Sequence, residues 1–349
     1  VSNVLPHSRP PVFIVGAGRS GTTLLRSLLS AHSRLAVTPE THYMKWAERC
    51  GAFEMSPTGF SPLWEDYMTT WRFEALGVER QRCREIAAGL GGATCRNAFL
   101  AMLAAYGEEE GKARVGEKSP SHVRYLARLF EWYPEARVLV MIRDPRAVLA
   151  SRLRSPWVTR DITPPSVRHG VVVRSRLHAA ASNVAGWARI YRDHVPPWLE
   201  DPRVRVVAYE ALVADPEAEV RAVCEHLGEP FEPTMLEGRS TDTVRPPAAE
   251  VPDARLADYQ REHHAKTLRP ISTGSLEKWR RELSTREVAI VEGACEGLMA
   301  QWGYTPTLPA PARAAGRASS RAVLTAHRVE RAARCRAGAL KGRMRGKMA

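Results

Sequence analysis

Paired cysteines, metal-ligand spacings and long apolar runs are all missing from this chain. Its six cysteines, Cys50, Cys83, Cys95, Cys224, Cys295 and Cys335, are scattered, and no two form a C-x-x-C pair. That pattern speaks against the common zinc modules and offers no disulfide framework. No cluster of His, Asp and Glu suggests a metal, so none is expected. No apolar stretch is long enough to span a bilayer. The first residues also lack the basic-then-apolar pattern of a secretory leader. The expected location is therefore cytoplasmic, with a peripheral membrane association as the variant. Aromatic residues are few, 7% of the chain, yet Tyr43, Trp46, Phe53, Phe60, Trp64, Tyr67, Trp71 and Phe73 crowd one stretch. Such a stretch walls a pocket or fills the core of a helical subdomain, and Trp157 is a further candidate wall.

Acidic residues are nearly absent from one end. From Leu308 onward eleven Lys and Arg face a single acid, Glu330, so this end holds most of the net charge of +13. Pro306, Pro309 and Pro311 precede it like a linker. The expected organisation is a folded body over residues 1–308 and a basic, flexible tail over 309–349. The tail reads first as solvated chain, second as a segment that adsorbs on an anionic membrane surface. Nucleic acid is the less favoured polyanion.

The most informative feature is a strand, a glycine turn and a helix in succession. Val12–Val15 is a short β-branched run that predicts a buried strand. Gly16, Gly18 and Gly21 permit a tight turn, and Thr22–Leu29 continues as an apolar-faced helix. Free amides and the positive end of the helix dipole then converge on one spot, an anion site. Gly16 and Gly21 have the spacing of a nucleoside-triphosphate loop, but Thr22 stands where its lysine belongs. Gly16-x-Gly18-x-x-Gly21 also satisfies a dinucleotide fingerprint, with Glu40 at the distance of a ribose-binding acid. That reading gives an oxidoreductase. Arg19, Ser20, Thr22 and Thr23 load the turn with side-chain donors, which a dinucleotide site does not need.

Alternating elements predict an α/β fold: a P-loop-like parallel sheet of about five strands, helices on both faces, and helical insertions. Strands are expected at 137–142 and 203–209, and helices at 121–133, 145–154, 174–194 and 216–227. A last helical region is expected over 275–303. Asp144 and Pro145 are a good cap and first residue for their helix. Ligands in such sheets lie beyond the carboxyl ends of the strands, where Gly16, Glu40, Lys118, Arg143 and Tyr209 fall.

The motif Arg19-Ser20-Gly21-Thr22-Thr23-Leu24 resembles the 5′-phosphosulfate loop of sulfotransferases that use 3′-phosphoadenosine-5′-phosphosulfate. Arg143 after a strand, with Ser151 eight residues on, resembles their 3′-phosphate site. Lys118 in Gly116-Glu-Lys-Ser-Pro120, Tyr209 in Tyr209-Glu-Ala-Leu and Lys278 before Trp279 resemble further family segments. Ser240, in Arg239-Ser-Thr241, resembles a nucleotide-site serine, although some thirty-five residues separate it from Lys278. The chain is similar above all to the tyrosylprotein sulfotransferase branch and its bacterial relatives.

The resemblance implies a sulfotransferase catalytic domain over 1–308 that moves a sulfuryl group to an acceptor hydroxyl and needs no metal. It implies Glu40 as base, with His42 as the alternative, and Arg19 and Lys118 as charge stabilisers. Gly18 to Thr23, Arg143, Ser151, Tyr209, Ser240 and Lys278 hold the cofactor, whose product is 3′-phosphoadenosine-5′-phosphate. The expected acceptor is a carbohydrate, a glycolipid or a small molecule, and residues 245–268 form a lid or an acceptor-binding insertion. A different class, a non-catalytic nucleotide-binding module docked by its basic tail, is the remaining alternative.

Overall fold

The computed structural model describes residues 9–155, 176–237, 265 and 270–345, without the side chains of 327 and 330–345. Among the described residues five strands are present: β1 (Val12–Gly16), β2 (Leu35–Thr38), β3 (Arg114–Lys118), β4 (Arg137–Ile142) and β5 (Val204–Ala208). All pairings are parallel, in the order β2-β3-β1-β4-β5. Every residue of β1 is buried, as a parallel sheet covered on both faces requires.

One face of the sheet packs Val12, Ile14, Leu139, Met141 and Val207 against α1 (Thr22–Ser30) and the helix Pro216–Leu227. On the other face, Phe13 stacks on Phe99 of the helix Cys95–Glu109 with ring centroids 6.1 Å apart. Burial of these side chains supplies most of the stability, at roughly 25 cal/mol per Å² of apolar surface. The aromatic-rich stretch proves largely core. Tyr43 stacks on Phe99 at 4.7 Å, and Phe60, Trp64, Tyr67 and Phe73 are buried with it. Trp157 lies outside the described residues.

Register brings the strand ends into line. Ile14 pairs with Lys118, Thr38 with Glu117, Gly16 with Met141, and Ile142 with Ala208. The glycine turn, Lys118, Arg143 and Tyr209 therefore all leave at the carboxyl ends of adjoining strands.

The chain divides into two compact units. One holds the described residues up to Arg143 and from Arg192 to Leu276, including the whole sheet. The other runs from Asp144 to Tyr191 and from Glu277 onward, and is helical. Its helix Pro145–Leu153 is capped by Asp144, which accepts from Arg146 N–H at 2.8 Å. Helix 121–133 resolves into a 3₁₀ segment, Pro120–Tyr125, followed by Leu126–Trp132.

The C-terminal end differs from a flexible tail that starts at residue 309. Ala310–Arg345 is one helix, and its first turns lie on the helix Thr285–Gln301. Arg313 Nε donates to Glu296 at 2.9 Å, and Arg317 Nε donates to Gly293 O at 2.8 Å. A Cβ on Gly316 would sit 1.9 Å from Ala289 O, and one on Gly293 would sit 2.0 Å from Arg313 O. Two glycines thus let the two backbones touch, a contact that composition does not reveal. Among the described residues no helix is long and apolar enough to cross a membrane.

Candidate functional site

The turn after β1 is strained and rich in donors. Gly16 has φ 138° and Gly21 φ 92°, and Arg19 between them has φ 74°. A left-handed arginine costs about 1–3 kcal/mol, strain that clusters at ligand-binding turns. Gly21 caps α1 with no side-chain acceptor, so the first helical amides keep their donors for something else. Ser20 is fully buried, and its Oγ has no hydrogen-bond partner among the described residues. A buried orphan hydroxyl costs free energy unless a ligand satisfies it. Thr22 is buried and Thr23 half-buried at the helix start, while Gly18 sits half-buried on the turn. A Cβ on Gly21 would come within 2.3 Å of the Tyr209 ring, so only glycine lets that ring close against the turn.

Arg143 and Tyr209 form the adjoining wall. The Arg143 guanidinium lies 3.9 Å from the Tyr209 ring centroid, a cation–π contact. Its Nη1 donates to Arg19 O at 3.4 Å and its Nη2 to Ser275 O at 3.3 Å. Tyr209 Oη and Ser275 Oγ share a hydrogen bond of 2.8 Å. The sequence reading gave a role to Lys278 of this segment and none to Ser275, whose backbone and hydroxyl contacts tie it to this wall.

Glu40 stands at the end of β2, beside β3. Its Oε1 accepts from Lys118 Nζ at 2.6 Å, and its Oε2 lies 3.0 Å from His42 Nε2. Burial by itself would raise the Glu40 carboxyl. The Lys118 ammonium and the His42 ring outweigh it and hold the group well below the usual carboxylate range. Burial pulls the Lys118 ammonium down, against the opposing pull of Glu40. His42 has a left-handed backbone, φ 53°, and caps the helix Tyr43–Arg49. On this helix burial, then the like charges of Arg124, Arg49 and Arg72, lower the Lys45 ammonium. The sequence reading singled out Glu40, His42 and Lys118 and missed Glu117, a fully buried acid in β3. A glutamate inside a strand buried on both faces is a legible signal, since a buried charge needs a purpose.

Two expected residues belong to the helical unit. Ser151 is buried on the helix Pro145–Leu153, and its carbonyl accepts from Ser155 Oγ at 3.3 Å. Lys278 is exposed at the start of the helix Trp279–Glu282. Ser240 and the proposed lid over 245–268 lie outside the described residues, apart from residue 265.

Residues 10–233 match the profile of the sulfotransferase family. Nodulation protein NoeE of Sinorhizobium fredii is 28% identical over 313 residues, covering 85% of this chain and 66% of that protein. Protein-tyrosine sulfotransferase A of Caenorhabditis elegans is 25% identical over 310 residues, with coverages of 87% and 70%. The chain thus spans about two thirds of the length of these relatives. The sulfotransferase domain of the Synechococcus PCC 7002 olefin synthase superposes with a TM-score of 0.55 at 21% identity. It covers 86% of this chain and 97% of that domain, a likeness of fold. A profile match over most of the chain, on a parallel sheet whose first strand ends in a glycine turn, makes this protein a member of the sulfotransferase family and an enzyme of sulfuryl transfer.

Proposed function

We propose that the sulfuryl donor is 3′-phosphoadenosine-5′-phosphosulfate and that Glu40 is the base for an acceptor hydroxyl. The observation that carries this reading is the orphan Ser20 Oγ in its glycine turn, on the strand next to the one that delivers Lys118. The turn Gly18–Thr23 takes the 5′-phosphosulfate through its amides and the hydroxyls of Ser20, Thr22 and Thr23. Arg143, with Ser151, takes the 3′-phosphate as a planar donor fork. Tyr209 flanks the nucleotide, and Lys278 and Ser240 complete its phosphate contacts.

Glu40 accepts the hydroxyl proton while the acceptor oxygen bonds to sulfur and the bond from sulfur to the phosphate oxygen breaks. Lys118 and Arg19 stabilise the charge that gathers on that leaving oxygen. Lys118 also keeps Glu40 ionised until the acceptor arrives, and His42 holds the other carboxylate oxygen. Positioning of the two reactants in line contributes much of the rate.

The proposed acceptor is a carbohydrate hydroxyl, on a free sugar or a glycolipid. Trp46, on the helix that follows His42, and Trp71 are half-buried and keep part of their surface for contact. An indole face of this kind suits the C–H surface of a sugar ring. Small-molecule and tyrosine hydroxyls are the competing outcomes of an acceptor survey.

Calorimetric titration with 3′-phosphoadenosine-5′-phosphate, adenosine 5′-phosphate, NAD and NADP tests the donor. Tight binding of the bisphosphate that is lost without its 3′-phosphate supports the assignment. Preferential binding of NAD or NADP overturns it. Turnover with a panel of hydroxyl compounds then identifies the acceptor class.

A further inference from the structure

We propose that Glu117 is the positioning residue of this site: one buried carboxylate that fixes the neighbours of Glu40, Lys118 and His42 and so sets the contacts among them. The inference rests on the reading of Glu40 as base for its catalytic meaning, but its geometry stands apart from that reading.

Glu117 is fully buried in β3, opposite Thr38 of β2. Its Oε1 accepts from Thr41 N–H at 3.2 Å, from Thr41 Oγ1 at 2.9 Å and from Ser119 Oγ. Its Oε2 lies 3.0 Å from His122 Nδ1. Met44 N–H donates to His122 Nε2 at 3.4 Å, which leaves the ring proton on Nδ1, toward Glu117. Burial would raise this carboxyl, but the His122 ring, Ser119 and Thr41 hold it below the usual range.

Thr41 and Ser119 are each tied to a member of the site. Thr41 directly follows Glu40 and is gripped at both its amide and its hydroxyl. Tyr67 Oη donates to Thr41 O at 3.0 Å and Tyr43 N–H to Thr41 Oγ1 at 3.2 Å, so the turn is held from several sides. Ser119 directly follows Lys118, and its Oγ accepts from His42 N–H at 3.1 Å. That bond ties down a residue whose backbone is left-handed, and it aims His42 Nε2 at Glu40. Well-packed apolar side chains stabilise a core as well as buried charge does. Stability alone therefore gives no reason for a carboxylate at this point. Thr41 and Ser119 supply the reason, because they are the residues next to the ion pair.

Glu117→Gln tests the proposal, since its amide offers one acceptor oxygen where the carboxylate offers two, and so cannot present an acceptor both to Thr41 and Ser119 and to His122. Thr41→Val and Thr41→Ser form the second pair: the first removes the hydroxyl, the second keeps it. The charged and titratable groups facing Glu40 are Lys118, His42 and Arg72; those facing Glu117 are His122, Tyr67 and Lys118. None of these is altered by the substitutions.

In Glu117→Gln and Thr41→Val, kcat is expected to fall by about 10- to 100-fold, the scale of a misplacement near 1 Å. Affinity for 3′-phosphoadenosine-5′-phosphate is expected to stay unchanged. Titration of the Glu40 carboxyl, followed by 13C NMR, is expected to move up toward the ordinary range as its partners lose their aim. Thr41→Ser is expected to behave as the parent. A folded Glu117→Gln protein with an unmoved Glu40 titration overturns the proposal, whether or not kcat falls. Should Glu117→Gln fail to fold, an unmoved titration in Thr41→Val overturns it equally. A fully active Glu40→Gln enzyme would instead overturn the base assignment, and the NMR titration would still decide the role of Glu117.

Discussion

Glu117 and Glu292, one in each compact unit, are fully buried and ionised, yet their donors differ in kind. Glu292 accepts from Thr307 N–H at 2.8 Å, Thr307 Oγ1 at 2.8 Å, Leu308 N–H at 2.9 Å and Arg146 Nη1 at 2.7 Å. Those donors stitch the segment before the C-terminal helix onto its own unit. The donors of Glu117 instead flank a base candidate, a lysine and a strained histidine. The turn after β1 takes the contrast further, with a buried Ser20 hydroxyl that nothing among the described residues satisfies. The Glu292 network accounts for its own donors, whereas a buried hydroxyl without a partner in a glycine turn calls for an explanation that a ligand would supply.

The sharpest way to break this contrast is at Glu40. Glu40→Gln is expected to lower kcat by about 10²- to 10⁴-fold, the usual reach of a general base, while calorimetry finds donor-product binding intact. Next is Arg143→Ala, expected to weaken binding of 3′-phosphoadenosine-5′-phosphate by about 1.5–3 kcal/mol, as for a lost charge-assisted bond. Adenosine 5′-phosphate should bind the variant and the parent alike; equal weakening of both would remove Arg143 from the 3′-phosphate.

Glu292→Gln addresses the architectural half. A loss of about 1–3 kcal/mol is expected in a denaturant titration, because a buried acceptor with four donors becomes partly a donor. An unchanged midpoint would mean the network is dispensable.

The smallest effects concern pH. The Glu40 carboxyl is held well below the ordinary range, so its ion pair contributes fully above that range and is lost as pH falls through the depressed folded value. Partial exposure of Glu40 keeps the stability part of this small. Activity is the better readout: a plateau through neutral pH, an acid limb below the usual glutamate range and a basic limb below the usual lysine range. The basic limb follows from burial of Lys118, and its absence in a kcat profile would dissociate that lysine from the chemistry.

Much of the fold and part of the site are legible in the residues alone. A β-branched run, three glycines and an apolar-faced helix dictate a strand, a turn and a helix through local sterics. Asp144-Pro145 likewise specifies a helix start through local hydrogen bonding. The nearness of Glu40 to Lys118 is not legible in the same way. It depends on β2 and β3 being neighbours in register, although some seventy residues separate them in the chain. The donors of Glu117 are hidden for the same reason, since they gather from both sides of that pairing.

The C-terminal end teaches the converse lesson. Eleven basic residues and one acid from Leu308 onward suggest solvated chain. Glycines at 293 and 316, spaced along two helices, instead let backbone meet backbone and dock the first turns. By itself the sequence determined the strands, the glycine turn, the helix caps and the basic end, because these follow from backbone sterics, hydrogen bonds within a few residues and charge count. Only the tertiary structure decided which strands adjoin, that Gly21 admits the Tyr209 ring, and that one buried carboxylate accepts from the residues next to Glu40 and Lys118. Those depend on contacts between segments far apart in the chain, which no local pattern encodes.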